Sequence, residues 1–520
     1  MTTGTVGGER SANEKQGEST RSYRLALAAV LGLAFAIRTA VVLTQVYVTH
    51  PDEVFQYLDQ GHRLAFGSGV VPWEFFDGIR SWLLPGILAG IMKLCAMVSA
   101  DPRVYLDAIR LAASAASLTV VYVGFRLAYL RDGMMAALVT GALCAVWFDA
   151  VFFAPSVMTE VLAAYCAMAA VWLAERRGAR DTGHTMALAG ALLGLAFSLR
   201  FHMAPTLLVI ALWHCRLEWR RRWLPLLLGA LGIVVPVLGV LDFLTWGSPF
   251  QSVWLNFVRN VPQGVSTAIQ SDPGMDYFAL IHAYWTFAAL PFLVLAPLGA
   301  LRAPLLAIAA AATLATLSLF GHKEYRFICF ALMAAPILVG LGGVRVLQLL
   351  DGRLGEARRI AVRAGFVLVV AAVSVYAWSD GFLGVQRGHM SGNLEAFLAA
   401  SRQPELCGLG ILDIDWAATG GYSFLNHDVP IYYSRFEFRP DVSEKLAPTG
   451  VRLRLEIVRN GAPLPQFQGD DWLRHARLFN FAIARSDRGP PGFQALQCFD
   501  NAPEWPWPKV CLFRRPGTCG

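Results

Sequence analysis

Charge is scarce in this chain. Only 16% of its 520 residues are Asp, Glu, Lys or Arg, against 56% hydrophobic, and the mean hydropathy is +0.48, a balance that soluble domains rarely show. Its nine cysteines are too few and too scattered for a disulfide framework. Five of them (Cys95, Cys144, Cys166, Cys215, Cys329) lie in or beside apolar runs, where they read as small buried hydrophobes. The other four (Cys407, Cys498, Cys511, Cys519) sit near the C-terminal end, where they can pair in a pattern that spacing does not reveal. A phosphate-cradling glycine loop, a nucleophile elbow and metal-ligand spacing are all missing: GSG at 67–69 is too short, and PDE and HKE lack paired ligands. These absences count against a nucleotide-using enzyme and leave neither metal nor cofactor to expect. The first twenty residues are polar and lead to no small-residue cleavage site, so the first apolar run is expected to stay as an anchor.

What is abundant is apolar length. Runs of about twenty residues recur between Tyr23 and Trp378, long enough to cross a bilayer core of roughly 30 Å. The net charge of +7 and pI near 9.0 come from arginines spread over short loops rather than gathered in a stripe. That spread reads as a topology signal, not as nucleic-acid binding. Basic clusters follow at Arg126 with Arg131, at Arg176, Arg177 and Arg180, at Arg216 with Arg220 to Arg222, at Arg302, and from Arg345 to Arg363. With all of them cytoplasmic, apolar segments pair as 133–150 with 158–175, 183–200 with 203–215, 223–245 with 279–301, and 304–320 with 327–349. Segments 25–47, 104–125 and 363–380 complete about eleven crossings. The stretch 80–98, short and carrying Pro85, is then expected as a juxtamembrane helix in the outer loop, because counting it as a span would invert every later segment. The fold class expected is an all-α polytopic membrane protein followed by a small α/β extracytoplasmic domain. A disordered cytoplasmic segment 1–24, a transmembrane domain 25–380 with its outer loop at 48–103, and a tail 381–520 make up the chain. Turn signals in ATGGYSFLNHD and NGAPLP and β-rich pieces in VPIYYSRFEF and VRLRLEIV mark the tail.

This topology gathers the polar clusters on the outer side. Asp52 and Glu53, directly after the first span, are adjacent carboxylates at the membrane surface, where ionisable groups are functional candidates. They equally suit the first turn of a helix opened by Pro51, with Asp59, His62 and Arg63 at helical spacing as its wet face. Trp73, Glu74, Asp77 and Arg80 form a second knot, in which Arg80 either grips a phosphate or pairs with Glu74 or Asp77. The third is GHKEYRF: snorkelling explains Lys323 and Arg326, but His322 and Glu324 beside them point to an anion site. Arg200 with His202, and Glu160 near a span start, are weaker candidates.

HPDEVFQ, PWEFFDGIRSWLLP and GHKEYRF together resemble the mannosyltransferases of glycosyltransferase family 22, which build glycosylphosphatidylinositol anchors and asparagine-linked glycan precursors. The likeness covers about residues 25 to 350. Pro72 stands where the family usually has Thr, and Met158 and Thr159 stand where an Asn is usual, which bears on the acceptor. The resemblance implies a GT-C fold, a polyprenyl- or dolichyl-phosphate mannose donor, a lipid-linked glycan acceptor and inversion at the sugar carbon. It also implies a general base in the first outer loop, for which Asp52 and then Glu53 are the candidates. Arg80, His322, Lys323, Arg326 and Arg200 become candidates for the leaving phosphate, and Trp73, Glu74, Glu160 and Glu324 for sugar or acceptor contacts. A flippase for a lipid-linked saccharide is the alternative; it would also need charges near the membrane, yet no self-similar halves appear. The alanine- and arginine-rich, lysine-poor composition favours a bacterial plasma membrane with a periplasmic active face.

Overall fold

Glycines, prolines and polar turns cut the apolar sequence into helices, several shorter than a full crossing. The computed structural model describes residues 6–519 except 176–182, 216–217, 270, 272–275, 287–288, 352–353, 380, 439 and 467–468. Arg176, Arg177, Arg180 and Arg216 of the basic clusters therefore lie outside the described residues. Five helices are long and apolar enough to cross a membrane: Thr20–Thr44, Pro102–Val146, Trp219–Trp246, Tyr325–Leu350 and Glu356–Ser379. The first belongs to a helix that starts at Val6, inside the stretch expected to be disordered. Shorter apolar helices, Gly183–Leu199, Phe201–Cys215, Ala289–Ala300 and Pro304–Ser318, fall in segments expected to span.

The 45-residue helix Pro102–Val146 holds two expected spans and breaks at Gly133, whose φ of 82° is not helical and costs glycine little. That break lies two residues after Arg131. The stretch 80–98 becomes the helix Leu83–Ala96, about 21 Å long at 1.5 Å per residue, a length similar to those of Phe201–Cys215 and Pro304–Ser318 in segments expected to span. At the centre stands the segment Tyr325–Leu350, 94% of whose apolar window is buried. Its helix Cys329–Asp351 packs on Pro102–Val146, Thr159–Glu175, Ala289–Ala300 and Pro304–Ser318. Large side chains such as Leu228, Leu244, Leu293 and Leu368 remain exposed on the outer helices, as a lipid-facing surface requires.

The tail carries a five-stranded sheet in the order β3-β2-β6-β8-β7. Its strands are β2 Leu409–Leu412, β3 Ile431–Tyr433, β6 Phe481–Arg485, β7 Gln494–Asp500 and β8 Lys509–Arg514. β2 runs parallel to β3 and β6, while β8 is antiparallel to β6 and β7. Two disulfides brace it: Cys498–Cys511 between paired positions of β7 and β8, and Cys407–Cys519 near its ends.

A second sheet joins the tail to the outer loop. β1, Gly69–Val71, pairs antiparallel with β4, Glu456–Arg459, which pairs with β5, Ala462–Leu464. Asp59 and His62, expected on a wet face, are buried for this reason. The Asp59 carboxylate accepts N–H bonds from Val70 at 2.8 Å, Ser423 at 2.8 Å and Tyr422 at 3.3 Å, and His62 meets Asn426 at 3.0 Å. The glycine-rich turn of the tail thus forms a short helix, Gly421–Leu425, with its N-terminal amides on a carboxylate of the loop.

Candidate active site

Pro51 and the carboxylates after it open a helix whose first turns, Glu53–Leu58, are wide ones with i→i+5 bonding, a form common at functional sites. Asp52 and Glu53 point in different directions, as successive residues of a helix do. Asp52 faces a cavity of ≈ 310 Å³ that is also lined by Gln56, Trp73, Glu74, Arg80, Glu160, Arg200, His202, His322, Glu324 and Arg326. The volume lies at the lower end of the roughly 300–1,000 Å³ usual for ligand pockets. Glu53 lies off this cavity. Its carboxylate accepts the Thr49 N–H at 2.9 Å, the Thr49 hydroxyl at 2.8 Å, the Val157 N–H at 2.9 Å and the Ser156 hydroxyl at 3.2 Å. It binds the first outer loop to the turn before helix Thr159–Glu175.

Three separate segments of the chain meet at Arg326. Its guanidinium is 2.7 Å from Asp52 and 3.4 Å from Glu160, and it also pairs with Glu324. Glu324 in turn accepts from His322 at 2.7 Å and is 3.4 Å from His50. Arg200 reaches Glu160 at 3.1 Å. Arg80 is held less closely, 3.9 Å from Glu74, and its buried Nε has no hydrogen-bond partner among the described residues. Asp77, the other partner considered for Arg80, pairs instead with Arg259 at 2.9 Å. Lys323 points away: its ammonium donates to the Phe320 carbonyl at 2.8 Å, and the residue does not line the cavity.

The surroundings set the carboxylates apart. Burial opposes the charge on Asp52, yet Arg326, His50 and Arg80 together outweigh it and hold the carboxyl well below its usual range. Glu324 is likewise lowered: burial acts against its charge, and Arg326 and His50 overcome that. Glu74 goes the other way. Burial pushes its carboxyl up to about 7, more than Arg80 and the Gln56 amide, donating at 2.7 Å, pull it down. One cavity therefore holds a firmly ionised carboxylate and another near its titration point, the pattern by which acid and base roles separate.

Trp73 does two things. It lines the cavity and packs in a small apolar cluster with Ile79, Val265, Val442, Leu446 and Val451, partly tail residues. Two groups of lining residues escaped the sequence reading. His50 stands in the HPDE string and is marked by it, but was given no role; Trp416, Ala417 and Phe438 of the tail also line the cavity and carry no motif that would have found them.

A family model described as the Alg9-like mannosyltransferase family matches residues 29–389. GPI mannosyltransferase 3 of Yarrowia lipolytica is 27% identical over 425 residues, covering 78% of this chain and 76% of that protein. GPI alpha-1,2-mannosyltransferase 3 of Mus musculus is 26% identical over 338 residues, covering 61% and 59%. Among solved structures, ArnT from Cupriavidus metallidurans bound to undecaprenyl phosphate has a TM-score of 0.52 at 16% identity, covering 96% of this chain and 99% of that one. At that identity the likeness shows the fold alone, which is of GT-C type.

Proposed function

Because the chain belongs to the Alg9-like mannosyltransferase family, we propose that it moves a mannosyl residue from a polyprenyl-phosphate donor to a lipid-linked glycan, with inversion. The observation that carries this reading is the meeting of Asp52, Arg80, Arg200, Glu160 and Arg326 around one cavity. An acceptor hydroxyl oxygen attacks the anomeric carbon of mannose. The new C–O bond forms as the bond to the donor phosphate breaks, the electron pair leaves with the polyprenyl phosphate, and the hydroxyl proton passes to Asp52. Arg326 keeps Asp52 ionised and aimed; a base held that low takes the proton late and releases it readily to the phosphate product. Arg80, Arg200 and His322, which line the cavity, are assigned to the leaving phosphate and stabilise the charge that develops there. Glu74, Trp73, Glu160 and Glu324 are assigned to sugar and acceptor contacts or to holding the arginines.

The names of the relatives point to a glycosylphosphatidylinositol precursor as acceptor. Two tail disulfides favour an oxidising outer face for the tail and the site beside it. About eleven crossings with the outer loop and tail on that face remain the topology proposed. A bacterial plasma membrane rests on composition alone, and the relatives named above are eukaryotic. A flippase reading has no observation in its favour.

The test is reconstitution of the purified chain with radiolabelled polyprenyl-phosphate mannose and extracted lipid acceptors. Asp52→Asn should transfer label about a hundred- to ten-thousand-fold more slowly than wild type. Full activity in Asp52→Asn would move the base to Glu74, since Glu53 lies off the cavity. A wild-type protein that transfers no label from this donor would remove the donor assignment.

A further inference from the structure

Part of the cavity wall comes from outside the three motifs and from outside the family match. Trp416, Ala417 and Phe438 line it from the tail, beyond residue 389 where the family match ends. Trp416 is set at the head of a single turn, Trp416–Ala418, fixed by the Asp415 side chain, which accepts the Ala417 N–H at 2.9 Å. Its ring meets Phe55 edge-on at 4.9 Å and Phe438 at 5.6 Å. Phe438 packs against the cluster that contains Trp73. The tail thus brings apolar surface, and no charge, to a cavity whose motif residues are mostly ionic.

Beside Phe55 in the chain stands Gln56, 3% exposed. Its amide nitrogen donates to Glu74, while its carbonyl oxygen, buried within a residue that lines the cavity, accepts from nothing among the described residues. A buried acceptor favours a neighbouring donor, and a ligand hydroxyl can supply one. Aromatic faces with one orphaned acceptor and a nearby carboxyl suit a ligand that has an apolar C–H face and hydroxyls at its edge. A phosphate fits this end poorly, since an anion finds no cation on the tail wall.

We infer that Trp416, Phe438 and Gln56 form a subsite for a neutral pyranose of the acceptor glycan, its C–H face on Trp416 and one hydroxyl donating to Gln56. The tail then decides which acceptor is used. This rests on the transferase reading above, so binding and turnover are measured separately.

Turnover is read with radiolabelled polyprenyl-phosphate mannose and extracted lipid acceptor on the full chain, comparing wild type, Trp416→Leu, Trp416→Phe and Phe438→Leu. Trp416→Leu should raise the acceptor KM tenfold or more and leave the donor KM within twofold, while Trp416→Phe, still aromatic, stays within about threefold of wild type. Equal acceptor KM in wild type and Trp416→Leu, a donor KM that rises in step, or a Trp416→Phe as impaired as Trp416→Leu would overturn the subsite. Phe438→Leu, from the other side of the wall, decides the question by the same criteria where Trp416→Leu does not fold. Binding is read without turnover, by saturation-transfer NMR with soluble α-mannobiose. Transfer to the sugar in wild type that is lost in Trp416→Leu supports the subsite even where the donor assignment fails; no transfer in wild type overturns it.

Discussion

Asp52 and Glu53 are neighbours in sequence and opposites in environment. Asp52 faces the cavity and Arg326; Glu53 is enclosed by four donors from Thr49, Ser156 and Val157. Glu53→Ala would orphan the buried Val157 N–H, at about 1–3 kcal/mol, and the half-buried Thr49 N–H, so a clear drop in thermal midpoint is expected. Measured by thermal unfolding in detergent, an unchanged midpoint would show that Glu53 does not hold the turn. Glu74 offers a pH test. Its folded pKa of about 7 lies above the unfolded value near 4.5, so between these the folded protein holds the extra proton. Its contribution to stability therefore falls as pH rises from about 4.5 to 7 and is level outside that window. Glu74→Gln should flatten that part of the thermal-midpoint profile, and an unaltered slope would mean that Glu74 ionises normally. None of this was readable from DE as a string: one residue's shift along a helix turns a side chain by about 100°, and only the packing of the loop against Ser156, Val157 and Arg326 settled which carboxylate met the cavity.

Elements reveal a joint that the sequence concealed. Asp59, His62 and Arg63 have the spacing of a solvated helix face, and would be one if the tail were a separate domain. Instead β1 pairs with β4, and the helix Gly421–Leu425 sits against Asp59. Gly421 makes that contact fit: its φ is +58°, and a Cβ there would stand 2.5 Å from an Asp59 carboxylate oxygen. Gly421→Ala is thus expected to loosen the tail from the loop, through both backbone strain and collision. Limited proteolysis should cut the tail faster in this variant, and equal rates would mean the joint tolerates a methyl group. That a helix lies within 80–98 was legible, because an apolar run is a local property. The joint was not, because a strand of three residues and a carboxylate find partners roughly 360 to 390 residues away only after folding.

For the whole molecule the question is sidedness. The first loop, the turn at Ser156 and Val157, the GHKEYRF turn and the tail converge at one end of the helices. A membrane-impermeant maleimide should therefore label Arg488→Cys in the tail from outside intact vesicles, and Arg220→Cys only after permeabilisation. Both labelled from one side would refute the proposed topology. Cys407→Ser opens the link that closes a 112-residue separation; such a bridge typically adds about 2–4 kcal/mol, so the tail should unfold earlier on heating in this variant than in wild type.

The sequence by itself determined that the chain is a membrane protein with short basic loops, and it carried three strings whose likeness to a mannosyltransferase family holds. Hydropathy and motif are written in consecutive residues, so each can be read without knowing the fold. Tertiary structure alone decided that Asp52, not Glu53, faces the cavity, that Lys323 turns away from it, and that Trp416 closes it. Those outcomes depend on which groups become neighbours across hundreds of residues, where burial and the nearest opposite charge set what a side chain can do.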